Sequence, residues 1–121
     1  MANTLVWADI PVKDLERASK FYSFLLNTEL KKETCYRREH VSFPCKDDEV
    51  SGGLVKVADF ESPRNSILIY LNLGSRLDEV LNKVEEHGGK ILEQKESIEP
   101  WGHRAIILDT EGNRIALHSK V

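Results

Sequence analysis

Long apolar runs are missing from this sequence. No stretch approaches the roughly 20 apolar residues that a transmembrane helix needs. The first ten residues, MANTLVWADI, also lack the basic region and long apolar segment of a secretory signal. No membrane partner is therefore expected, and the sequence predicts a cytoplasmic protein.

The sequence also has few cysteines and little net charge. The two cysteines, Cys35 and Cys45, show no Cys-x-x-Cys spacing, so we expect free thiols in a reducing compartment. The net charge is only -3, which argues against nucleic acid as a partner. At 121 residues the chain has the size of one domain that buries its own core, so we expect a single domain over residues 1–121.

What the sequence does contain is an internal repeat. The first half reads as a strand at 5–10, a helix begun by Asp14 and ended by Asn27, and strands at 30–36, 40–44 and 52–57. The second half reads as a strand at 66–73, a helix capped by Ser75 and ended by Gly88, and strands at 90–98, 104–108 and 113–119. Pro63 and several turn formers mark a joint at 57–66 between the two halves.

This order predicts an α+β fold of two tandem βαβββ modules, at about 1–60 and 65–121. The two modules would form a curved mixed sheet around a concave cavity, with the helices outside. The cavity is the default ligand site. The sheet edges need to be covered, so a homodimer is expected.

Three segments carry a resemblance to a known family. IPVKDLERASKFYSFLL, VEEHGGKIL and DTEGNRIALH together resemble the vicinal oxygen chelate superfamily, which includes glyoxalase I, extradiol dioxygenases, and the bleomycin and fosfomycin resistance proteins. Within it the chain is most similar to small bacterial single-domain members described only as glyoxalase-like. The resemblance covers essentially the whole chain.

The resemblance implies a divalent metal held by His or Glu from the first and fourth strands of each module. Those positions fall on Trp7, Gly53, Ile69 and Ala116 in this sequence, and none of these side chains is a metal ligand. We therefore expect no metal cofactor. The alternative is a displaced metal near Asp9 and His118, with His103 as a further ligand.

Several residues are candidates for contact with a ligand in the cavity. Asp9 and His118 are the candidate catalytic pair, because a carboxylate that supports an imidazole suits proton transfer. Trp101 would stack on a planar or apolar ligand, and His103 or Arg104 would bind an anionic group. The remaining residues expected to line the cavity are Trp7, Ile69, Leu71, Arg114 and Ala116.

Each candidate also has a structural alternative. Asp9 would form a salt bridge with Arg104 or Arg114, Trp101 would be a packing residue, and Trp7 would fill the cavity as core. The leading hypothesis is a glyoxalase-like or bleomycin resistance-like protein that binds a small organic molecule without a metal. The competing hypotheses are an enzyme (a lyase, an isomerase or a dioxygenase-like protein) that uses Asp9 and His118, and an interaction module whose cavity Trp7 fills.

Overall fold

The computed structural model describes residues 4–35, 38–45, 49–59, 61 and 67–120. The first half holds β1 (Trp7–Val12), α1 (Leu15–Leu26), β2 (Lys32–Cys35), β3 (Arg38–Ser42) and β4 (Ser51–Lys56). The second half holds β5 (Ile69–Asn72), α2 (Leu77–Leu81), a short 3₁₀ helix (Glu85–His87), β6 (Lys90–Ser97), β7 (His103–Leu108) and β8 (Arg114–Ser119). Most of the joint predicted at 57–66 lies outside the described residues.

The strands form two four-stranded sheets. Their strand orders are β1-β4-β3-β2 and β5-β8-β7-β6. In each sheet the first strand of the module runs parallel to the last, and the other pairs are antiparallel. Two βαβββ modules of an α+β fold are thereby confirmed, as two mixed sheets rather than one continuous sheet.

Helix α1 follows its sequence signals closely. The Asp14 side chain accepts a hydrogen bond from the Arg17 backbone N–H, and Asn27 ends the helix in the left-handed conformation, with φ 52°. The apolar stripe of α1 is buried against its sheet; its members are Leu15, Ala18, Phe21, Tyr22 and Leu25.

Helix α2 departs from the prediction at its start. Arg76, not Ser75, is its N-cap, and no side chain caps it. Gly74 takes a positive φ just before, so the chain enters the helix one residue later than Ser75 would allow. The helix also ends earlier than predicted, with Asn82 as its C-cap. Gly88 instead ends the short 3₁₀ helix that follows, with a φ of 96°. In the described ranges, no helix has the length and apolar character needed to cross a membrane.

A single hydrophobic core joins the two modules. It contains the buried face of α1 together with residues of α2 and of the second sheet, such as Val80 and Leu117. Gly89 lies against the Phe21 ring so closely that an added Cβ would be 2.7 Å from it. The Arg76 guanidinium donates to the Leu25 carbonyl, at the end of the other module's helix. The helical sides of the two modules are therefore packed against each other.

Hydrogen bonds from the turn between β7 and β8 stabilise this packing of the two modules. The buried Asp109 carboxylate accepts hydrogen bonds from the Tyr22 hydroxyl at 2.6 Å and from the backbone N–H groups of Glu111 and Asn113 at 2.8 Å. Burial raises the pKa of Asp109, although these donors oppose the rise. Burial also raises the pKa of Tyr22 well above its ordinary value, which keeps its donor proton in place.

Glu111, in the same turn, forms hydrogen bonds with the first module. Its carboxylate accepts from the backbone N–H groups of Lys13 and Asp14, and from the Arg17 guanidinium at 2.7 Å and 2.9 Å. Burial alone would raise the pKa of Glu111, but the hydrogen bonds from Arg17 and Asp14 lower it to about 2. The turn of the second module thus holds the start of α1 in place.

Candidate functional site

The face of the second sheet that points away from the helices carries the candidate site; we call it the open face. Along β8 the side chains of Ile115 and Leu117 belong to the core. Because strand side chains alternate, Arg114, Ala116 and His118 lie on the open face. The alternation predicted for β8 is therefore found.

The open face of β5 differs from the prediction. Ile69 and Leu71 were expected to line the cavity, but both pack with the core, and Tyr70 and Asn72 take the open face instead. Tyr70 is the register partner of Ala116 on β8. The face assignment of Ile69 and Leu71 was therefore wrong by one residue, which in a strand exchanges the two faces.

The reason is a difference between the modules. Two residues separate the buried Val12 of β1 from the buried Leu15 of α1, whereas Gly74, Ser75 and Arg76 separate Leu73 from Leu77. If only two residues preceded the first buried residue of α2, as they do in α1, Ile69 would lie on the open face. The better signal was in the segment ILIYLNL, where every second residue is apolar, in the set Ile67, Ile69, Leu71 and Leu73, whereas Tyr70 and Asn72 interrupt the other set.

A cavity of about 400 Å³ opens on this face. Its lining consists of Tyr70, Asn72, Ile98, Trp101 and His118. All of them belong to the second module. The Trp101 side chain is 72% exposed and that of Tyr70 is 47% exposed, so two aromatic rings stand in solvent beside the cavity. Of the lining residues, the sequence had indicated only Trp101 and His118.

The loop between β6 and β7 fixes the position of Trp101. The Trp101 N–H donates to the Ile98 carbonyl, and the Ile98 N–H donates to the Gly102 carbonyl at 2.8 Å. Gly102 has a φ of 101°, and an added Cβ there would lie 2.4 Å from the Ser119 carbonyl oxygen. Only glycine fits this approach of the loop to β8.

Among the described residues, the side chains of His118 and Asn72 make one defined hydrogen bond each. His118 Nε2 lies 2.6 Å from the Trp101 carbonyl oxygen, so this nitrogen must carry the proton and donate. The Asn72 carbonyl oxygen Oδ1 accepts from the Gly74 N–H at 2.8 Å, which fixes the orientation of the Asn72 amide. Both contacts tie cavity residues to neighbouring backbone.

Arg104 lies on the open face next to the cavity. It donates hydrogen bonds to the Tyr70 hydroxyl and to the Glu96 carboxylate, and its guanidinium stands 5.9 Å from the centre of the Tyr70 ring. The hydrogen bond to Tyr70 raises the pKa of Arg104. Arg114 pairs with Glu93 at 3.7 Å. The two arginines are therefore held by carboxylates of β6.

His103 does not join Arg104 at the site. It alternates with Arg104 along β7 and shares the side of Ala105 and Ile107, which belong to the core. Its Nδ1 atom is buried and has no hydrogen-bond partner within the described part of the chain. Of the two residues expected to bind an anionic group, Arg104 is therefore the one on the open face, because adjacent strand residues face opposite ways.

The first module contributes a separate open face. Ile10 and Val12 of β1 belong to the core, so Trp7 and Asp9 face away from it. Trp7 is 44% exposed, and its indole N–H donates to the Asp9 carboxylate at 2.9 Å. Asp9 and His118 lie in different sheets: Asp9 accepts a hydrogen bond from the Trp7 indole, and His118 donates one to the Trp101 carbonyl.

The residues at the family's metal positions do not fit a divalent ion. The positions that the resemblance implies are Trp7, Gly53, Ile69 and Ala116. An added Cβ at Gly53 would lie 2.4 Å from the Val41 carbonyl oxygen, so this position has no room for a side chain. Across the described residues, no group of three His, Cys, Asp or Glu is arranged to hold a metal. The donor set gives no basis for a metal-dependent step.

A larger cavity, of about 1030 Å³, runs along α1. Several of its charged residues are already paired: Arg17 with Glu111, and both Lys32 and Lys56 with Glu39. The hydrogen bond from Lys32 lowers the pKa of Glu39. This cavity is a solvated, charge-paired groove, and the smaller aromatic cavity is the better site.

Comparison with known proteins agrees with this fold. Residues 4–117 match the family model described as Glyoxalase/Bleomycin resistance protein/Dioxygenase superfamily. The chain is similar to a solved glyoxalase/bleomycin resistance protein from Albidiferax ferrireducens T118, with 18% identity, a TM-score of 0.74, and coverage of 98% of this chain and 100% of the other. No curated protein matches the chain.

Two further solved structures have the same fold. A glyoxalase/bleomycin resistance protein/dioxygenase family enzyme from Burkholderia phytofirmans PsJN is 12% identical, with a TM-score of 0.70 over 98% of this chain and 100% of that one. Glyoxalase I of Leishmania major is 20% identical, with a TM-score of 0.73 over 98% and 88% of the two chains. Such likeness shows the fold alone. On the family match, and with the resemblance confirmed, the chain belongs to the Glyoxalase/Bleomycin resistance protein/Dioxygenase superfamily.

Proposed function

We propose that this protein binds a small organic molecule in the aromatic cavity of the second module. The observation that carries the proposal is the pair of exposed rings, Trp101 and Tyr70, beside a cavity of about 400 Å³. Ligand cavities of proteins have this size and combine apolar walls with a few polar groups. Asn72 and His118 supply the polar groups here.

The exposure of Trp101 has an energetic meaning. If a planar ligand covered about 100 Å² of ring surface, burial of that surface would contribute roughly 2.5 kcal/mol to binding. The loop hydrogen bonds already fix the Trp101 backbone, so binding need not order this loop. A ligand that stacks on the indole would therefore gain this free energy at a small entropic cost.

Family membership does not itself choose the function. The family's description joins glyoxalases and dioxygenases, which are enzymes, with a resistance protein, and one fold hosts many activities. The residues at the metal positions favour binding without a metal. Catalysis by Asp9 and His118 remains the alternative prediction. It would require these two residues to meet, for example across two copies of the chain.

The two tryptophans allow a direct test of the binding site. Trp7→Phe leaves Trp101 as the only indole, and Trp101→Phe leaves Trp7. We expect a library of planar aromatic compounds to yield hits that quench the fluorescence of the Trp7→Phe variant and raise its melting temperature. Quenching should be absent in Trp101→Phe.

The opposite pattern would contradict the proposal: hits that quench only the Trp101→Phe variant, or hits whose affinity is unchanged in Tyr70→Ala. The enzyme alternative has its own measurement. Turnover of a hit that disappears in Asp9→Asn, with binding retained, would favour catalysis over sequestration.

A homodimer is part of the proposal. Leu5 and Val6 are more than 70% exposed just before β1, and Ile67 is 86% exposed just before β5. These two strands stand at the ends of their sheet orders. Exposed apolar residues beside a sheet edge favour a second copy as the covering partner. In analytical ultracentrifugation, Val6→Lys should shift the protein towards monomer, whereas Asn82→Lys, at an exposed site at the end of α2, should not. A monomeric wild type would contradict the dimer, and a Val6→Lys variant that stays dimeric would contradict this interface.

A further inference from the structure

The cavity offers one donor and one acceptor side by side. Asn72 and His118 are register partners on the parallel strands β5 and β8, which places their backbones about 4.8 Å apart. Both residues line the same cavity. Their remaining hydrogen-bonding groups therefore define what a bound molecule must present.

The donor belongs to Asn72. Its Oδ1 atom accepts from the Gly74 N–H, so the Nδ2 amide group keeps its two protons for other partners. No other hydrogen bond of the Asn72 side chain is found among the described residues. A ligand oxygen that accepts from Nδ2 would meet an amide whose orientation is already fixed.

The acceptor belongs to His118. Its Nε2 atom donates to the Trp101 carbonyl, so in the neutral ring the proton lies on Nε2 and Nδ1 carries a lone pair. A ligand N–H that donates to Nδ1 would complete the hydrogen bonding of the ring. The same contact with Trp101 ties the imidazole to the loop that carries the aromatic wall.

The neighbouring groups narrow the ligand further. The Tyr70 hydroxyl accepts from Arg104, so its own proton remains available as a second donor at the edge of the cavity. The Arg104 guanidinium places positive charge beside this hydroxyl. Ile98 and the two rings provide apolar walls. The described lining residues include no Asp, Glu, Lys or Arg, and the charge of Arg104 is paired with Glu96. The site therefore suits a planar, uncharged molecule that is rich in hydrogen-bond acceptors.

We propose that the cavity recognises a planar ring system with a lactam edge, in which a ring carbonyl stands next to a ring N–H. The carbonyl would accept from Asn72, the N–H would donate to His118, and the ring would lie against Trp101 and Tyr70. This inference rests on the proposed function and names the chemical class of its ligand.

Three commercial bicyclic probes test it: 2-quinolone, which has the lactam edge; N-methyl-2-quinolone, which lacks the N–H; and quinoline, which has neither the carbonyl nor the N–H. By isothermal titration calorimetry, we expect 2-quinolone to bind about tenfold more tightly than each of the others, which is the upper end of what one net hydrogen bond contributes. Equal affinities for 2-quinolone and N-methyl-2-quinolone would overturn the lactam assignment.

Asn72→Asp provides the protein side of the test. The new carboxylate still accepts from the Gly74 N–H, but its second oxygen is an acceptor where the amide was a donor. We expect 2-quinolone to lose its tenfold advantage in this variant while quinoline keeps its affinity. Asn82→Asp, at an exposed site at the end of α2, adds the same charge and should leave all three affinities unchanged.

The outcomes separate the two proposals. If all three probes bind equally and depend on Trp101, the cavity binds planar molecules and only the lactam assignment fails. The assignment also fails if Asn72→Asp retains the preference for 2-quinolone. If none of the probes binds and the aromatic library gives no hit either, the proposed function fails together with the lactam assignment.

Discussion

Replacement of Glu111 by Gln should destabilise the protein by about 2 kcal/mol at pH 7. The Glu111 side chain has no exposed surface and accepts five hydrogen bonds, from the backbone N–H groups of Lys13 and Asp14, twice from Arg17 and once from Thr110. In Glu111→Gln one acceptor oxygen becomes an NH₂ donor that faces other donors. The charge that attracts Arg17 is lost as well.

The magnitude follows from the pKa of Glu111. A fall from 4.5 to about 2 corresponds to roughly 3.4 kcal/mol of preference for the charged form in the folded state. The Arg17 side chain is 51% exposed, so solvent screens part of this interaction, and about 2 kcal/mol is the better figure. For a chain of this length the melting temperature should fall by roughly 8 °C.

The effect should depend on pH in one direction. Because the folded-state pKa of Glu111 lies below the unfolded value, its stabilisation is present above pH 4.5 and is lost as the pH falls towards about 2. The difference in unfolding free energy between the wild type and Glu111→Gln should therefore shrink in urea titrations as the pH is lowered from 7 to 3.

Glu16→Gln is the matched control. Glu16 is 86% exposed and stands 4.0 Å from Lys20, so its loss should change stability by less than about 0.5 kcal/mol. Equal stabilities of the two variants would refute the assigned role of Glu111. A difference between the wild type and Glu111→Gln that persists undiminished at pH 3 would also refute it.

The remaining predictions concern Tyr22, which donates to Asp109, and Gly102, in the loop between β6 and β7. Tyr22→Phe removes a donor from the buried Asp109 carboxylate and should cost about 1–3 kcal/mol in urea unfolding, whereas Tyr70→Phe, at a half-exposed hydroxyl, should cost less than about 1 kcal/mol. Gly102→Ala places a Cβ 2.4 Å from the Ser119 carbonyl and should cost at least about 2 kcal/mol and weaken ligand binding. Gly74→Ala, which also has a positive φ but nothing within 4 Å of the new Cβ, should cost only about 1 kcal/mol and serves as its control. Similar costs for Gly102→Ala and Gly74→Ala would show that the approach to Ser119 is not tight.

Local signals predicted the parts of the fold that depend on local chemistry. Asp14 and Asn27 correctly marked the two ends of α1, because helix capping depends only on neighbouring residues. The repeated order of elements predicted the two modules. The two faces of β8 could also be predicted from the sequence, because the large apolar residues Ile115 and Leu117 alternate with small or basic residues.

The site was less predictable, because it depends on the length of one connection. The extra residue between β5 and α2 moved Ile69 to the core and Tyr70 to the open face, and in the sequence only the alternation in ILIYLNL indicates this. His103 and Arg104 are adjacent basic residues, and the sequence alone does not say which of the two shares the face of the cavity. In both strands the structure shows which residues pack in the core, and their immediate neighbours therefore lie on the open face.

The indole N–H signals in a ¹H–¹⁵N correlation spectrum test the central claim most directly. The chain has two tryptophans, so two such signals are expected, and Trp7→Phe assigns them. During titration with a planar aromatic ligand that stabilises the protein, the Trp101 signal should shift progressively to saturation. A Trp101 signal that stays fixed while the ligand binds would contradict the account, because the bound molecule would then lie outside the aromatic cavity.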